Sequence, residues 1–164
     1  MKRWSFYVIG LIAGLTLSFG TVKADDLADA LAAYHRGDFE KAVELWHVMA
    51  EKGDSTAEYS LGQMYEQGKG VAQDYKEAYK WYRLSAEQGN DRAQYSLGGM
   101  YEKGLGVPRD YIRAYMWYDL AAAQGMHVAE SNRDYIAQQM SREQVMQAQN
   151  LRKECEKGNF SVCY

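Results

Sequence analysis

Three histidines are the side chains in this sequence best suited to bind a metal ion or to exchange protons at neutral pH. His35, His47 and His127 lie far apart along the chain, with no H-E-x-x-H motif and no neighbouring cysteine. Protein zinc sites gather at least three ligands, and two of these usually stand close together in sequence. The sequence therefore predicts no metal site.

Two other patterns have the residue types of enzyme sites. Gly68-Lys69-Gly70 has the composition of a phosphate loop but lacks the preceding strand and the Lys-Ser/Thr ending that such a loop needs. Asp74 and Asp110 stand where helices should begin, so capping explains both carboxylates. Neither G-x-S-x-G nor S-x-x-K occurs in the sequence. We therefore expect no catalytic residue and no bound cofactor.

These residues lie in or beside a segment that occurs twice in succession. Residues 57–92 and 93–128 match at 21 of 36 positions without a gap, which identifies an internal repeat. Each copy shows apolar residues at helical spacing, then two glycines separated by one residue, then a second apolar helix. Gly62 and Gly98 interrupt the first helix, which predicts that two helix backbones touch there. The second helix is apolar around most of its circumference, so each unit must stack on its neighbours.

The repeated phrases YSLGQMYEQGKGV and YSLGGMYEKGLGV, each followed by D-Y, A-Y and W-Y, resemble the Sel1-like repeat, a relative of the tetratricopeptide repeat. The resemblance implies an all-α fold, an α-solenoid of stacked antiparallel helix pairs. It also implies function through protein binding and, as in many bacterial relatives, a role as an adaptor or regulator exported to the envelope. The family has no shared catalytic residues to transfer to this chain.

The flanks of the repeated segment read as terminal caps of the solenoid. Residues 25–56 keep the second helix but lack the G-x-G loop, so this N-terminal capping repeat is closer to a plain tetratricopeptide repeat. Residues 129–164 are expected to form C-terminal capping helices. Ser141 and Gln144 predict a capping box at the start of the last helix.

Residues 1–24 have the pattern of a secretory signal peptide. Two basic residues precede an apolar run, and small residues stand before Asp25. We therefore predict a periplasmic or secreted protein whose mature chain does not span a membrane. That mature chain has 16 basic and 22 acidic residues, a net charge of −6, and no basic stripe that would indicate nucleic-acid binding.

The two cysteines, Cys155 and Cys163, make an even count in a chain predicted to leave the cytosol. That combination favours a disulfide. Gly158 between them can turn the chain back and bring the sulfurs together. The alternatives are two free thiols or a redox pair, although a redox pair normally has the C-x-x-C spacing.

Solenoids of this kind bind along the concave face formed by successive first helices. The positions opposite the apolar stripe of each first helix are the candidate protein-binding residues: Tyr59, Gln63, Glu66, Tyr95, Gly99 and Glu102. Tyrosines one repeat apart offer stiff, amphipathic contacts to a peptide. The alternative is that Tyr59 and Tyr95 pack sideways between neighbouring helices.

Together these features predict an exported, non-catalytic scaffold or adaptor that binds another protein or peptide. One alternative is a β-lactam-binding or β-lactam-hydrolysing enzyme, an activity linked to a cysteine-rich branch of secreted Sel1-like proteins. This sequence lacks the regular cysteine pairs of that branch. A second alternative is a module that binds cell-wall polysaccharide through its aromatic face.

Overall fold

A computed structural model describes residues 24–158 and 162–164, so the predicted signal peptide lies outside the described residues except for Ala24. The described part contains eight α-helices and no strand, which confirms the predicted all-α class. The helices are α1 (Ala24–His35), α2 (Phe39–Ala50), α3 (Ser55–Gln67), α4 (Tyr75–Glu87), α5 (Asp91–Lys103), α6 (Tyr111–Ala123), α7 (His127–Ala137) and α8 (Arg142–Glu156). None of these helices is long and apolar enough to cross a membrane.

The helices form successive pairs that pack on one another. Helix α1 packs against α2, α3 against α4 and α5 against α6, while α2 contacts α3 and α4 contacts α5. The apolar core is therefore shared between pairs: Leu61 and Met64 of α3 are buried in one cluster with Trp46 of α2. This stacking confirms the predicted α-solenoid.

Side chains at the helix starts satisfy backbone amides that have no partner within the helix. Asp74 accepts hydrogen bonds from two amides in the first turn of α4, and Asp110 does the same for α6. Ser141 and Gln144 form the predicted capping box at α8. The two aspartates therefore act as helix caps, as the sequence predicts.

The G-x-G loops set the contact between consecutive repeats. Gly68 and Gly104 end α3 and α5 with φ of 66° and 72°, in the left-handed region that favours glycine. Gly70 and Gly106 have φ of 70° and 72° and lie against the start of the preceding repeat's second helix. A Cβ atom on Gly70 would stand 2.5 Å from the carbonyl oxygen of Phe39. The second glycine thus allows the loop and the preceding helix to touch.

The C-terminal helices depart from the repeat pattern. Both α7 and α8 pack against α6. Asp119 of α6 joins them, because its carboxylate lies 2.8 Å from Arg133 of α7 and 3.3 Å from Arg152 of α8. This ion-pair network fixes both capping helices on the last repeat.

A disulfide closes the C-terminal segment. Cys155 of α8 and Cys163 are bonded to each other, and both are buried. The bond places Tyr164 against the rings of Trp117 and Tyr79, with centroids 5.5 and 6.3 Å away. Tyr164 therefore contacts both α6 and α4.

Candidate functional site

All six candidate protein-binding residues line one open cavity of about 430 Å³ between α3 and α5. The first helix contributes Tyr59, Gln63 and Glu66, and the next first helix contributes Tyr95, Gly99 and Glu102. Each of the six is partly exposed. We call this cavity the tyrosine groove.

The second helices of the two repeats supply the floor of the tyrosine groove. Tyr82 of α4 and Tyr118 of α6 line it although both side chains are buried. The Tyr82 hydroxyl donates to Glu66 Oε2 at 2.5 Å, and the Tyr118 hydroxyl donates to Glu102 Oε2 at 2.7 Å. Because partners in the two pairs are related by 36 residues, the groove contains the same hydrogen-bonded unit twice.

The packing glycines make room for these floor tyrosines. A Cβ atom on Gly98 would stand 2.5 Å from Cδ1 of Tyr118, and Gly62 faces the ring of Tyr82 in the same way. The sequence correctly predicts close packing at both glycines but names the wrong partner. An aromatic ring of the paired helix, rather than its backbone, needs the space.

The wall tyrosines of the tyrosine groove pack against its floor. The Tyr59 and Tyr82 ring centroids are 5.7 Å apart, and those of Tyr95 and Tyr118 are 5.4 Å apart. Asn132 of α7 donates to the Tyr95 hydroxyl at 3.1 Å. Tyr59 and Tyr95 therefore pack on the paired helix and also line the groove, and their contact with a partner stays a prediction.

The floor of the tyrosine groove is neutral, and each wall has a glutamate without a basic partner among the described residues. Burial, reinforced by the hydrogen bond to the glutamate, raises the pKa of Tyr82 and of Tyr118 above the usual tyrosine range. Neither Glu66 nor Glu102 forms an ion pair with a basic side chain in the described part of the chain. The tyrosine groove thus presents aromatic faces and fixed hydrogen-bond acceptors.

Sequence reasoning missed the contribution of α7 to this surface. Asn132 lines the tyrosine groove. Tyr135 holds the register position of Gln63 and Gly99 and is 59% exposed. Asn132 and Tyr135 stand 36 residues after Ser96 and Gly99. Extending the repeat spacing into α7 would therefore have identified both positions, although the sequence of this segment is typical of a terminal cap.

A buried carboxyl lies outside the tyrosine groove. Burial raises the pKa of Glu58 to about 7, although Gln88 donates a hydrogen bond to its carboxylate at 2.7 Å. One repeat later the same pair is Gln94 and Gln124, at 2.8 Å. The position held by Glu58 and Gln94 therefore requires a hydrogen-bond acceptor, and a neutral amide serves as well as a carboxyl group.

The structure does not bring the three histidines together. His47 of α2 packs against Trp81 with ring centroids 5.4 Å apart, His35 ends α1, and His127 begins α7 with its side chain 94% exposed. Among residues 24–158 and 162–164, no group of three His, Cys, Asp or Glu side chains is arranged to hold a metal ion.

A larger cavity, of about 830 Å³, lies between the start of α6 and the C-terminal part of α8. Its described lining contains no aromatic side chain, and its charged groups include pairs already formed, such as Arg113 with Asp110 and Lys157 with Glu154. The tyrosine groove is the better candidate site because it combines aromatic faces with unpaired carboxylates.

Comparison with known proteins agrees with this architecture. The Sel1 repeat matches residues 27–54, 55–90 and 91–126. The crystal structure of a protective antigen present in uropathogenic Escherichia coli strains, which displays an SLR fold, is similar with 38% identity and a TM-score of 0.74. A Sel1 repeat protein from Oxalobacter formigenes is similar with 31% identity and a TM-score of 0.60.

The similarity covers most of this chain but only part of each relative. The alignments cover 80% and 66% of this chain, and 30% and 48% of the Escherichia coli and Oxalobacter formigenes chains respectively. A search of curated proteins gave no significant match.

Proposed function

This chain belongs to the Sel1 repeat family, and we propose that it is an exported, non-catalytic scaffold that binds another protein or peptide through the tyrosine groove. Sel1 repeat proteins are scaffolds of the protein-interaction type.

The repeated tyrosine–glutamate unit is the observation that carries the proposal. Tyr59, Glu66 and Tyr82 recur one repeat later with the same hydrogen bond and similar ring packing. Tyrosine provides a large contact area with little loss of conformational entropy, and it is enriched in protein interfaces. A polypeptide that lies across both repeats therefore meets the same set of groups twice.

Export is supported by two independent features. Residues 1–24 have the charge and apolar pattern of a signal peptide. The disulfide between Cys155 and Cys163 fits a periplasmic or extracellular compartment, because thiols stay reduced in the cytosol. Fusing residues 1–24 to alkaline phosphatase tests this step. We expect an active fusion, and an inactive fusion retained in the cytosol would contradict export.

Gly99 provides a way to block the groove without disturbing the fold. A Cβ atom there would meet only the Tyr118 hydroxyl, at 3.5 Å, and the preceding repeat carries Gln63 at this position. Gly99→Arg should therefore fill the tyrosine groove with a side chain, whereas Gly99→Ala adds one methyl group and serves as the matched control.

The test is capture of partners from envelope extracts on immobilised residues 25–164. We expect Gly99→Ala to retain the partners of the parent, and Gly99→Arg and the double variant Tyr59→Ala, Tyr95→Ala to lose them. Thermal unfolding establishes that each variant is folded. Equal capture by all four proteins would show that the groove is not the binding surface.

Two inexpensive assays test the other functions that the sequence leaves open. Turnover of a chromogenic β-lactam by residues 25–164 would contradict the non-catalytic proposal. Co-sedimentation with purified peptidoglycan, if abolished by Gly99→Arg, would replace the protein partner by a polysaccharide. We expect neither result.

A further inference from the structure

Glu66 and Glu102 differ from many glutamates on the helices of this chain. Several surface glutamates have a basic partner on the same helix: Glu44 with Lys41, Glu77 with Lys80, Glu87 with Arg83, Glu154 with Lys157 and Glu156 with Arg152. The two groove glutamates instead accept a hydrogen bond from a buried tyrosine, and no described basic side chain pairs with them. The tyrosine fixes each carboxylate at the groove wall.

A ligand that covers these carboxylates must compensate for the water it removes. An apolar or acidic segment would leave each carboxylate desolvated and without a cation, which is strongly unfavourable. A lysine or arginine side chain would instead form a charge-assisted hydrogen bond with it. The Tyr59 and Tyr95 rings in the same walls can also hold a cation over their faces.

The remaining charges near the groove do not neutralise the two glutamates. Lys103 is the cation in the described lining, and its side chain is exposed at the end of α5. Asp91 and Arg92 at the start of α5 carry opposite charges near Tyr59. The predicted mature chain also has a net charge of −6, which attracts cationic segments at long range.

We propose that the tyrosine groove selects a peptide segment with two basic side chains, one for Glu66 and one for Glu102. This inference rests on the proposed function, because it names the chemistry of the partner at the same groove.

A phage-displayed library of random dodecapeptides, selected on residues 25–164 at low ionic strength, tests this inference. We expect the selected peptides to be enriched in lysine and arginine and to lose affinity as salt is added. The double variant Glu66→Gln, Glu102→Gln keeps an acceptor for each tyrosine but removes both charges. It should bind the selected peptides at least about tenfold more weakly, since close charge pairs couple by more than about 1.4 kcal/mol.

Charge variants at Gln63 provide the matched control. Gln63 lines the tyrosine groove, and Gln63→Glu and Gln63→Lys keep a side chain of comparable length, so that mainly the charge differs. We expect the selected peptides to bind Gln63→Glu at least about tenfold more tightly than Gln63→Lys.

The two proposals fail in different ways. No enriched peptide, or enriched peptides that bind Gly99→Arg as tightly as the parent, would overturn the groove as a peptide-binding surface. Peptides that lose binding to Gly99→Arg but carry no excess of lysine or arginine would overturn the basic-partner inference alone. The same conclusion follows if the double glutamine variant binds them with unchanged affinity.

Discussion

The second and third repeats, residues 55–90 and 91–126, share one polar unit and differ at another. The tyrosine–glutamate hydrogen bond has the same partners in both. By contrast, the buried acceptor is ionisable Glu58 in one repeat and neutral Gln94 in the other, with exposed fractions of 4% and 5%. The buried position therefore accepts either a glutamate or a glutamine, whereas the groove has a glutamate at the matching position of both repeats.

The same two repeats also differ in how far their second helices are covered. Leu84 of α4 is 37% exposed, whereas Leu120, at the same register in α6, is 9% exposed. Leu120 lies in one buried cluster with Cys155 of α8, so α8 helps to cover α6 at this position. Similar repeat sequences thus differ in exposure because their neighbours differ.

Removing a floor tyrosine should have the largest effect on stability and should affect both repeats. Tyr82→Ala and Tyr118→Ala each delete a buried ring, which we expect to lower the free energy of unfolding by about 3 to 5 kcal/mol. Urea unfolding followed by circular dichroism measures this change. Tyr135→Ala, at an exposed tyrosine, is the control, with an expected change within about 0.5 kcal/mol. A small effect at only one floor tyrosine would contradict the equivalence of the two units.

The next largest loss of stability is expected at Asp119, and a much smaller one at Arg83, which stands 36 residues earlier. Asp119→Ala leaves Arg133 and Arg152 without their shared carboxylate at a site where Asp119 is only 15% exposed. We expect a loss of about 3 kcal/mol, because both arginines lose their shared, partly buried partner and keep only the more exposed carboxylates of Asp134 and Glu156. Arg83→Ala at the equivalent position removes an exposed ion pair with Glu87 and a cation–π contact with the Tyr164 ring, together worth about 1 kcal/mol. Equal losses in the same urea experiment would contradict a special role for the C-terminal cap.

Glu58 should give the second repeat a pH dependence that the third repeat lacks. Its carboxyl loses a proton near pH 4.5 in the unfolded chain, whereas burial raises the pKa of Glu58 to about 7 in the fold. Only the folded state keeps the proton between these values, so the free energy of unfolding falls as the pH rises, by about 3 kcal/mol above pH 7.

Exchanging the two buried acceptors tests this pH dependence. Glu58→Gln should match the parent at pH 4 and exceed its free energy of unfolding by about 3 kcal/mol at pH 8. Gln94→Glu should introduce the same loss into the third repeat. Urea unfolding at both pH values measures these free energies. A difference between Glu58→Gln and the parent that is the same at pH 4 and pH 8 would refute the raised pKa of Glu58.

The smallest changes in stability are expected for alanine substitutions at two adjacent glycines of α5, and the two changes should have opposite signs. Gly98→Ala pushes a methyl group into the Tyr118 ring and should destabilise the fold by about 1 to 3 kcal/mol. Gly99→Ala faces the open groove and should stabilise α5 by about 0.5 to 1 kcal/mol, since alanine favours the helix. Thermal unfolding of the two variants measures both changes. Destabilisation of similar size by both substitutions would contradict the described position of the ring.

The sequence predicts the groove walls because they depend on a local pattern. Helical spacing within α3 and α5 is enough to separate Tyr59 and Glu66 from the buried face. The floor could not be predicted in this way, because α4 carries tyrosines at several positions and is apolar around most of its circumference. Helical spacing alone does not tell which of them reaches the groove.

The burial of Glu58 escaped prediction for a related reason. Its hydrogen-bond partner, Gln88, stands 30 residues away on the paired helix, so no local pattern connects them. A glutamate in a helix normally indicates a solvated face. The contact arises from helix pairing, which the repeat implies without specifying individual side chains.

Chemical-shift mapping tests the central claim, that the tyrosine groove binds the partner, most directly. Isotope-labelled residues 25–164 are titrated with a captured partner, or with a dodecapeptide selected as above, and the backbone amide shifts are recorded. We predict that the largest changes cluster on the groove-facing residues of α3 and α5 and disappear in Gly99→Arg. Changes confined to α8 and the C-terminal segment, and unaltered by Gly99→Arg, would contradict the account.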